Sequence, residues 1–250
     1  MFTLVYHPTL SPTPANSSSS YLHSNVITRL MSSGRRDVIP IRREAHYKPV
    51  VVSLSFSVIN IEKVDLDLGI VQLMVWQTAT WHDQVLAWSR VDEDFTQVSI
   101  PADYIWTPDI TLLNGEADVL YPNTAVISYR GAVRWLTKQR MRVTCDVWTS
   151  SNGTTCDVNL SSWTHSTQEL KLELSSDPVN DLSYLAGSRY ELLVAAARKD
   201  EYTLPTGTYE TVQLSVTFRK KLSVAASQSA LIQSSLIVLV PFMLMARFNG

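Results

Sequence analysis

The stretch VVVSLSFSV at residues 50–58 decides the fold class of this chain. From Val52 to Val58 every second side chain is apolar, and a serine fills each position between them. Successive side chains of a strand point to opposite faces of the sheet. A period of two therefore predicts a strand with one buried face and one polar face.

The same alternation recurs along the rest of the chain. It is seen in Met141, Val143 and Cys145, in Leu170, Leu172 and Leu174, and in Val212, Leu214, Val216 and Phe218. Turn-forming pairs separate these runs at Asn114-Gly115, Asn152-Gly153, Asp177-Pro178 and Thr206-Gly207. No long helical pattern competes with them, so we predict an all-β sandwich.

A short helix and a leader are predicted before the first strand. Ser24 can cap the helix and Gly34 can end it. The apolar face of this helix would hold Val26, Ile27, Leu30 and Met31. We divide the chain into a disordered leader or remnant signal region at 1–22, one domain at 23–222, and a spacer with a hydrophobic tail at 223–250.

Charge and motif content argue against several function classes. The 21 basic and 23 acidic residues nearly balance, so neither a nucleic-acid partner nor binding to an anionic membrane surface is indicated. The five histidines have no metal-ligand spacing, and the chain has neither a glycine-rich phosphate loop nor a nucleophile elbow. We therefore expect no enzymatic activity, no metal and no cofactor.

The only two cysteines, Cys145 and Cys156, flank a segment rich in small polar residues. They can form one local disulfide, and a pair of buried free thiols is the alternative. Two glycosylation sequons begin at Asn152 and Asn159. Together these features favour an extracellular or secreted location.

The aromatic residues fall into two groups by their sequence context. Trp81 and Trp106 lie in strand-like segments and are expected to fill the core. Trp163, Tyr202 and Tyr209 are flanked by polar, loop-like residues, where a core ring would be out of place. A cluster of such rings can attract a cation through their negative faces.

Several motifs occur in series along the chain: GRRDVIP (34–40), VSLSFSVINI (52–61), VWQTATWHDQVLAWSR (75–90), VSIPADYIWTPDI (98–110), SSWTHSTQEL (161–170) and VTFRKK (216–221). With the Cys145 to Cys156 loop, this series resembles the acetylcholine-binding proteins, relatives of the extracellular ligand-binding domain of Cys-loop receptors. The resemblance implies a short N-terminal helix and a ten-strand, immunoglobulin-like β-sandwich. It also implies a homopentameric ring with ligand sites between neighbours.

The resemblance also implies which residues form the ligand site. The principal face would carry Trp163 as the main cation-facing ring, together with Thr164, Tyr202, Tyr209 and Leu113. The complementary face would carry Trp76, Thr78, Val126, Arg134 and Leu136. The expected ligand is a small cholinergic or other amine, with an amphiphilic molecule as a further option.

Three positions depart from the family pattern. Leu113 stands where the family has a loop tyrosine, and Leu204-Pro205 replaces an adjacent cysteine pair at the tip of the closing loop. Arg134 stands at a position that is usually apolar, and its fixed charge would repel a quaternary ammonium if it pointed inward. Alternatively, Arg134 is a surface arginine whose stem covers apolar neighbours.

Two function hypotheses remain open: a soluble ligand binder and a truncated extracellular domain of a channel subunit. The loop between the cysteines has ten residues and lacks an apolar Phe-Pro-Phe tip, which favours the soluble binder. The apolar stretch from Leu231 to Phe248 is short for a membrane span and is interrupted by Pro241. It is expected to be a removed anchor signal, a weak membrane tail or a cloning artefact.

Overall fold

The structure, a computed structural model of the chain, describes residues 25–33, 36–43, 47–90, 95–145, 148–150, 153–180, 184–185 and 187–221. Helix α1 covers residues 25–31. The strands are β1 Arg42–Arg43, β2 Tyr47–Lys48, β3 Val50–Asp65, β4 Ile70–His82, β5 Gln97–Pro101, β6 Ile110–Leu112, β7 Gly115–Ser128, β8 Ala132–Thr144, β9 Trp148–Ser150, β10 Gly153–Ser162, β11 Leu170–Asn180, β12 Tyr190–Leu204 and β13 Gly207–Lys220. Two 3-10 turns lie at Gln84–Leu86 and Ala102–Tyr104. The expected leader, Ser24, Gly34 and the 223–250 tail lie outside the described residues.

The strands form two main sheets. The six-stranded sheet has the order β11-β3-β4-β8-β7-β5, in which only β11 and β3 pair in parallel. The five-stranded sheet has the order β12-β13-β10-β6, with β9 added on β10. The all-β sandwich with a short N-terminal helix is confirmed. Its two main sheets hold eleven described strands, one more than the family pattern implies, because pairings as short as three residues are included, and β1 and β2 form a separate two-stranded sheet.

The core lies between the two sheets and is built from the alternating positions. The apolar residues from Val52 to Val58 are at most 2% exposed, and so are the matching positions from Val212 to Phe218. Helix α1 adds Val26 and Leu30 to the same cluster. Full burial of one such side chain stabilises the fold by about 1.5–3 kcal/mol, which explains why the period of two predicts the strand faces correctly.

The turn predicted at Asp177-Pro178 is wrong. Strand β11 runs through both residues and only changes its register against β3 between Leu174 and Val179. The strand lies at the edge of the six-stranded sheet. A proline lacks the N–H that a central strand needs, but an edge strand with an irregular register can accommodate it.

The turn predicted at Thr206-Gly207 is confirmed as the tip of the β12–β13 hairpin, where Leu204 pairs with Gly207. Gly207 has a φ of +146°, which side chains rarely adopt, and a Cβ at this position would lie 3.1 Å from the Cβ of Ser166. The glycine therefore allows the loop after β10 to approach the hairpin tip closely.

Cys145 and Cys156 are joined in a disulfide, with Cα atoms 5.2 Å apart. The bridge is confirmed and the free-thiol alternative is wrong. Cys145 directly follows β8 of the six-stranded sheet, whereas Cys156 lies in β10 of the five-stranded sheet. The disulfide thus links the two layers of the sandwich at one end.

Candidate functional site

Three aromatic residues lie at the same end of the five-stranded sheet. Tyr202 of β12 pairs with Tyr209 of β13, and their rings stack at a centroid distance of 5.6 Å. Strand β10 pairs with β13 as far as Ser161 and Thr211. Trp163, two residues after Ser161, therefore follows β10 at the end of the sheet where Tyr209 lies on β13. We call Trp163, Tyr209 and Tyr202 the aromatic row.

The indole of Trp163 is available to a ligand because it is 70% exposed, whereas the two tyrosines are half-buried. Strand β10 ends at Ser162, so the ring stands at the beginning of a loop. An aromatic ring this exposed contributes little to the core. The expectation that Trp163 is not a core residue is therefore consistent with its position.

The carboxylate of Asp109 holds the loop that carries Trp163. It accepts hydrogen bonds from the Ser162 hydroxyl at 2.6 Å, from the Thr164 backbone N–H at 2.7 Å and from the Thr164 hydroxyl at 2.6 Å. Burial alone would raise the pKa of Asp109, but these bonds favour its charged form and bring the pKa below its usual value. The Thr164 hydroxyl is thus engaged within the chain, next to Trp163.

One further contact joins this loop to the hairpin, and a second one holds the loop itself. The backbone N–H of Thr167 donates to the carbonyl of Thr208 at 2.8 Å. Nδ1 of His165 lies 3.0 Å from Oε2 of Glu169, which closes the loop on itself. As a result, the backbone of the loop and of the hairpin tip are held together, and the aromatic row is supported from both sides.

Leu113 lies at the other end of β6 from this loop. Its backbone N–H donates to the carbonyl of Asn159 at 2.8 Å, while the N–H of Trp163 donates to the carbonyl of Asp109. Leu113 lies four positions after Asp109, which corresponds to about 13 Å along a strand. Leu113 is 41% exposed, but the structure does not place it in the row with Trp163.

The five residues expected on the complementary face come together on the outer face of the six-stranded sheet. Thr78 of β4 pairs with Leu136 of β8, and Arg134 of β8 pairs with Val126 of β7. Trp76 lies two residues before Thr78 on the same face and is 39% exposed, while Leu136 is 49% exposed. We call Trp76, Thr78, Val126, Arg134 and Leu136 the Trp76 patch.

The aromatic row and the Trp76 patch face away from each other. They lie on the outer faces of different sheets, and the core of the sandwich lies between them. Packed sheets are about 10 Å apart. One copy of the chain therefore cannot bring Trp163 and Trp76 against the same small molecule.

Trp81 and Trp106 belong to the core, as predicted. They are 3% and 6% exposed, and their rings meet edge to face at a centroid distance of 5.7 Å. Such a pair contributes about 0.5–1.5 kcal/mol beyond the burial of its area. These two tryptophans take no part in the candidate site.

Sequence reasoning missed the roles of Asp109 and Asn114. The side-chain amide of Asn114 donates to the carbonyls of Thr144 and Asp157, at 3.0 and 2.8 Å, and its oxygen accepts the N–H of Asn159. Asn114 therefore ties the turn after β6 to both sheets. From the sequence, the pair Asn114-Gly115 could be interpreted only as a turn. The residues to which the Asn114 side chain is hydrogen-bonded lie 30 to 45 positions further along the chain.

Of the two expected glycosylation sites, Asn159 lies in β10 and lines a shallow cavity of about 390 Å³ together with Asn114 and Gln213. Asn152 lies outside the described residues. Glycosylation at both positions stays a prediction.

Comparison with known proteins identifies the family. Residues 23–222 match the family model described as the neurotransmitter-gated ion-channel ligand binding domain. The chain belongs to this family. The two sheets and the disulfide between them thus belong to a ligand-binding domain.

Similar proteins are acetylcholine receptor subunits. The chain is 28% identical to acetylcholine receptor subunit beta-type acr-2 of Caenorhabditis elegans over 54% of this chain and 26% of that subunit. It is 28% identical to the neuronal acetylcholine receptor subunit beta-2 of Rattus norvegicus over 61% of this chain and 32% of that subunit. The ligand-binding domain described here therefore aligns with a third or less of the length of these relatives.

Within the described residues, no helix is both long enough and apolar enough to cross a membrane.

Proposed function

We propose that this ligand-binding domain assembles as a homopentamer and binds a small cationic ligand between neighbouring copies. The aromatic row of one copy would form one wall of the site and the Trp76 patch of the next copy would form the other. The observation that carries the proposal is the placement of these two half-sites on opposite faces of one chain. A heterologous contact repeated head to tail closes into a ring when the rotation between copies allows it, and five copies correspond to the family assembly.

The aromatic row accounts for the choice of a cation. Trp163 is exposed, and two stacked tyrosines continue its row along the hairpin. A desolvated cation over such rings gains about 2 kcal/mol or more, and tryptophan is the strongest of the three ring types. Asp109 and Thr208 hold the backbone on either side, so little ordering is needed when the ligand enters.

In its cellular role we propose that the protein is a soluble, extracellular binder that sequesters its ligand. The short loop between Cys145 and Cys156, which has no apolar Phe-Pro-Phe tip, supports this role. A second candidate is the extracellular domain of a receptor channel subunit. The relatives with which the chain aligns are receptor subunits, which favours this alternative.

Subunit complementation tests the proposed site. Choline is the probe, and isothermal titration calorimetry measures its binding to purified full-length assemblies. Trp163→Ala and Trp76→Ala should each weaken choline binding. Co-expression of both variants should restore about one quarter of the sites, because only an interface that joins the two intact half-sites is functional.

Two results would contradict the proposal. One is a particle with the mass of a single chain at micromolar concentration, which would exclude a site shared between copies. The other is a co-expressed mixture that binds choline no better than either variant alone, since this would place both tryptophans in sites within one chain. The unfolding temperature of each variant, measured by circular dichroism, controls for loss of folding.

A further inference from the structure

The second sequon begins at Asn159, on a part of β10 whose outward side chains are polar. From Thr154 to Leu160 the residues alternate between buried and half-buried, and Asn159 is one of the half-buried residues. On this outer face β10 and β13 form three polar pairs: Thr155 with Thr217, Asp157 with Ser215, and Asn159 with Gln213. These pairs offer hydrogen-bonding groups to the solvent and no apolar patch to another protein.

The side chains around Asn159 are hydrogen-bonded within the chain, whereas that of Asn159 is not. The bonds join Ser215 with Asp157, Thr155 with Thr217, and Arg198 with Gln213. Asn159 is bonded to the described residues through its backbone alone, which contacts Asn114 and Leu113. Its side-chain amide nitrogen is therefore available for a covalent bond.

Space for a sugar adjoins this amide nitrogen. Asn159 lines the cavity of about 390 Å³, together with side chains that include Asn114, Asp157 and Thr144. Ligand pockets in proteins have volumes of about 300–1,000 Å³, so this cavity matches a single sugar unit rather than a whole glycan. The carboxylate, amide and hydroxyl groups of its wall are the groups that bind sugar hydroxyls.

A glycan at Asn159 is compatible with the fold and with the proposed assembly. Glycans are bulky and hydrophilic, so the modified side chain must point away from the core, as Asn159 does. Gln213, the partner of Asn159, lies four positions after Tyr209 on β13, which corresponds to about 13 Å. The inference therefore does not depend on which ligand the aromatic row binds.

The third residue of the sequon is inaccessible once the chain has folded. Ser161 is 0% exposed, and its hydroxyl donates to the carbonyl of Glu210 at 2.8 Å. Strand β10 pairs with β13 on one side and with β6 on the other at this position. A transferase must contact both the asparagine and the hydroxyl of a sequon, and the folded sheet withholds the hydroxyl.

We propose that Asn159 carries an N-linked glycan that is added only before β10 enters the sheet, and that its first sugar occupies the cavity beside Cys145. The disulfide between Cys145 and Cys156 is of the kind that persists in the oxidising secretory compartments, where N-glycosylation takes place. The modification thus has a time limit, which is set by the pairing of β10 with β13.

The bond changes of the transfer balance with a lipid-linked oligosaccharide as the donor. Nδ2 of Asn159 forms a bond to C1 of the first sugar and loses one proton. The bond between C1 and the oxygen of the lipid diphosphate breaks, and the diphosphate leaves with the electron pair. After folding, the new N-glycosidic bond lies at the cavity.

Occupancy is tested by expressing the full chain in a eukaryotic secretory host. Asn152→Gln removes the other sequon, and intact mass is measured before and after digestion with peptide N-glycosidase F. The Asn152→Gln protein should carry one glycan, and the matched control Asn152→Gln/Asn159→Gln should carry none. Absence of a glycan from Asn152→Gln would overturn the proposal, and this readout does not require the variant to fold, because the transfer precedes folding.

Two further measurements test the time limit and the position of the sugar. Purified oligosaccharyltransferase with its lipid-linked donor should modify a synthetic peptide of residues 157–163, but not the folded, unmodified chain from a host without the transferase. Modification of the folded chain would refute the time limit. Peptide N-glycosidase F should act at least about tenfold more slowly on the folded glycoprotein than on the denatured one, because local opening must first expose the bond. Equal rates would show that the sugar lies outside the cavity.

Discussion

Asp109→Asn is the substitution that tests how the site is held in place. The carboxylate accepts three short hydrogen bonds, from Ser162 and from the N–H and hydroxyl of Thr164. Asparagine has nearly the same shape, but it has only one accepting oxygen and turns an NH2 group toward these donors. The substitution therefore breaks the network without leaving a large cavity.

The magnitude follows from the number of bonds lost. A hydrogen bond to a charged group contributes about 1.5–3 kcal/mol, and we expect one to two of the three to be lost. The variant should be less stable than wild type by about 2–4 kcal/mol at neutral pH. It should also bind choline more weakly, because the backbone beside Trp163 is no longer held.

The effect should depend on pH. The folded protein lowers the pKa of Asp109, so ionised Asp109 stabilises the fold. This contribution is fully present above the unfolded pKa of about 3.9 and is lost as the pH falls through the lower folded pKa. The stability difference between wild type and Asp109→Asn should therefore be constant above about pH 5 and should shrink at lower pH.

Urea unfolding of both proteins at a series of pH values measures this difference. Asp67→Asn is a matched control, since Asp67 is exposed in the turn between β3 and β4 and should change stability by less than about 0.5 kcal/mol. A loss below 1 kcal/mol at neutral pH, or a loss that does not vary with pH, would refute this account of Asp109.

Three further predictions concern the site, the disulfide and the tail. Trp163→Ala should weaken choline binding by at least about tenfold and Tyr209→Ala by less, as titration calorimetry can show, and equal effects would contradict the ranking of the rings. Reduction of Cys145–Cys156 should lower the free energy of unfolding by about 2–3 kcal/mol. It should leave choline binding intact, because the hairpin tip has no cysteine pair. Thiol counting before and after reduction monitors the bond. Removal of residues 222–250 should leave the pentamer mass and choline binding unchanged, and loss of folding on removal would mean that the tail is structural.

Much of the fold was predictable from local pattern. Apolar side chains at every second position from Val52 to Val58 and from Val212 to Phe218 must share a face, and that face is the core. The turn prediction fails at Asp177-Pro178, because the turn-forming residue types do not reveal whether a strand lies at the edge of its sheet. Only the assembled sheet shows that β11 is an edge strand and can accommodate Pro178.

The residue types of the site were also predictable, but not their arrangement. The loop-like surroundings of Trp163 and Tyr209 indicated rings outside the core, and both are in the aromatic row. The position of Leu113 could not be inferred in the same way, since it depends on the register between β6 and β10. Register is set by how the hydrophobic faces of distant strands pack, which no local segment contains.

The sequence by itself determined that this chain is a β-sandwich of the ligand-binding domain family, because strand periodicity and the order of motifs are local properties of the chain. The tertiary structure decided that Asp109 holds the loop of Trp163 and that the aromatic row and the Trp76 patch lie on opposite sheets. It also decided that Arg134 lies between Thr80 and Val126 in the six-stranded sheet. These facts depend on contacts between residues far apart in the chain, and such contacts exist only once the two sheets have packed together.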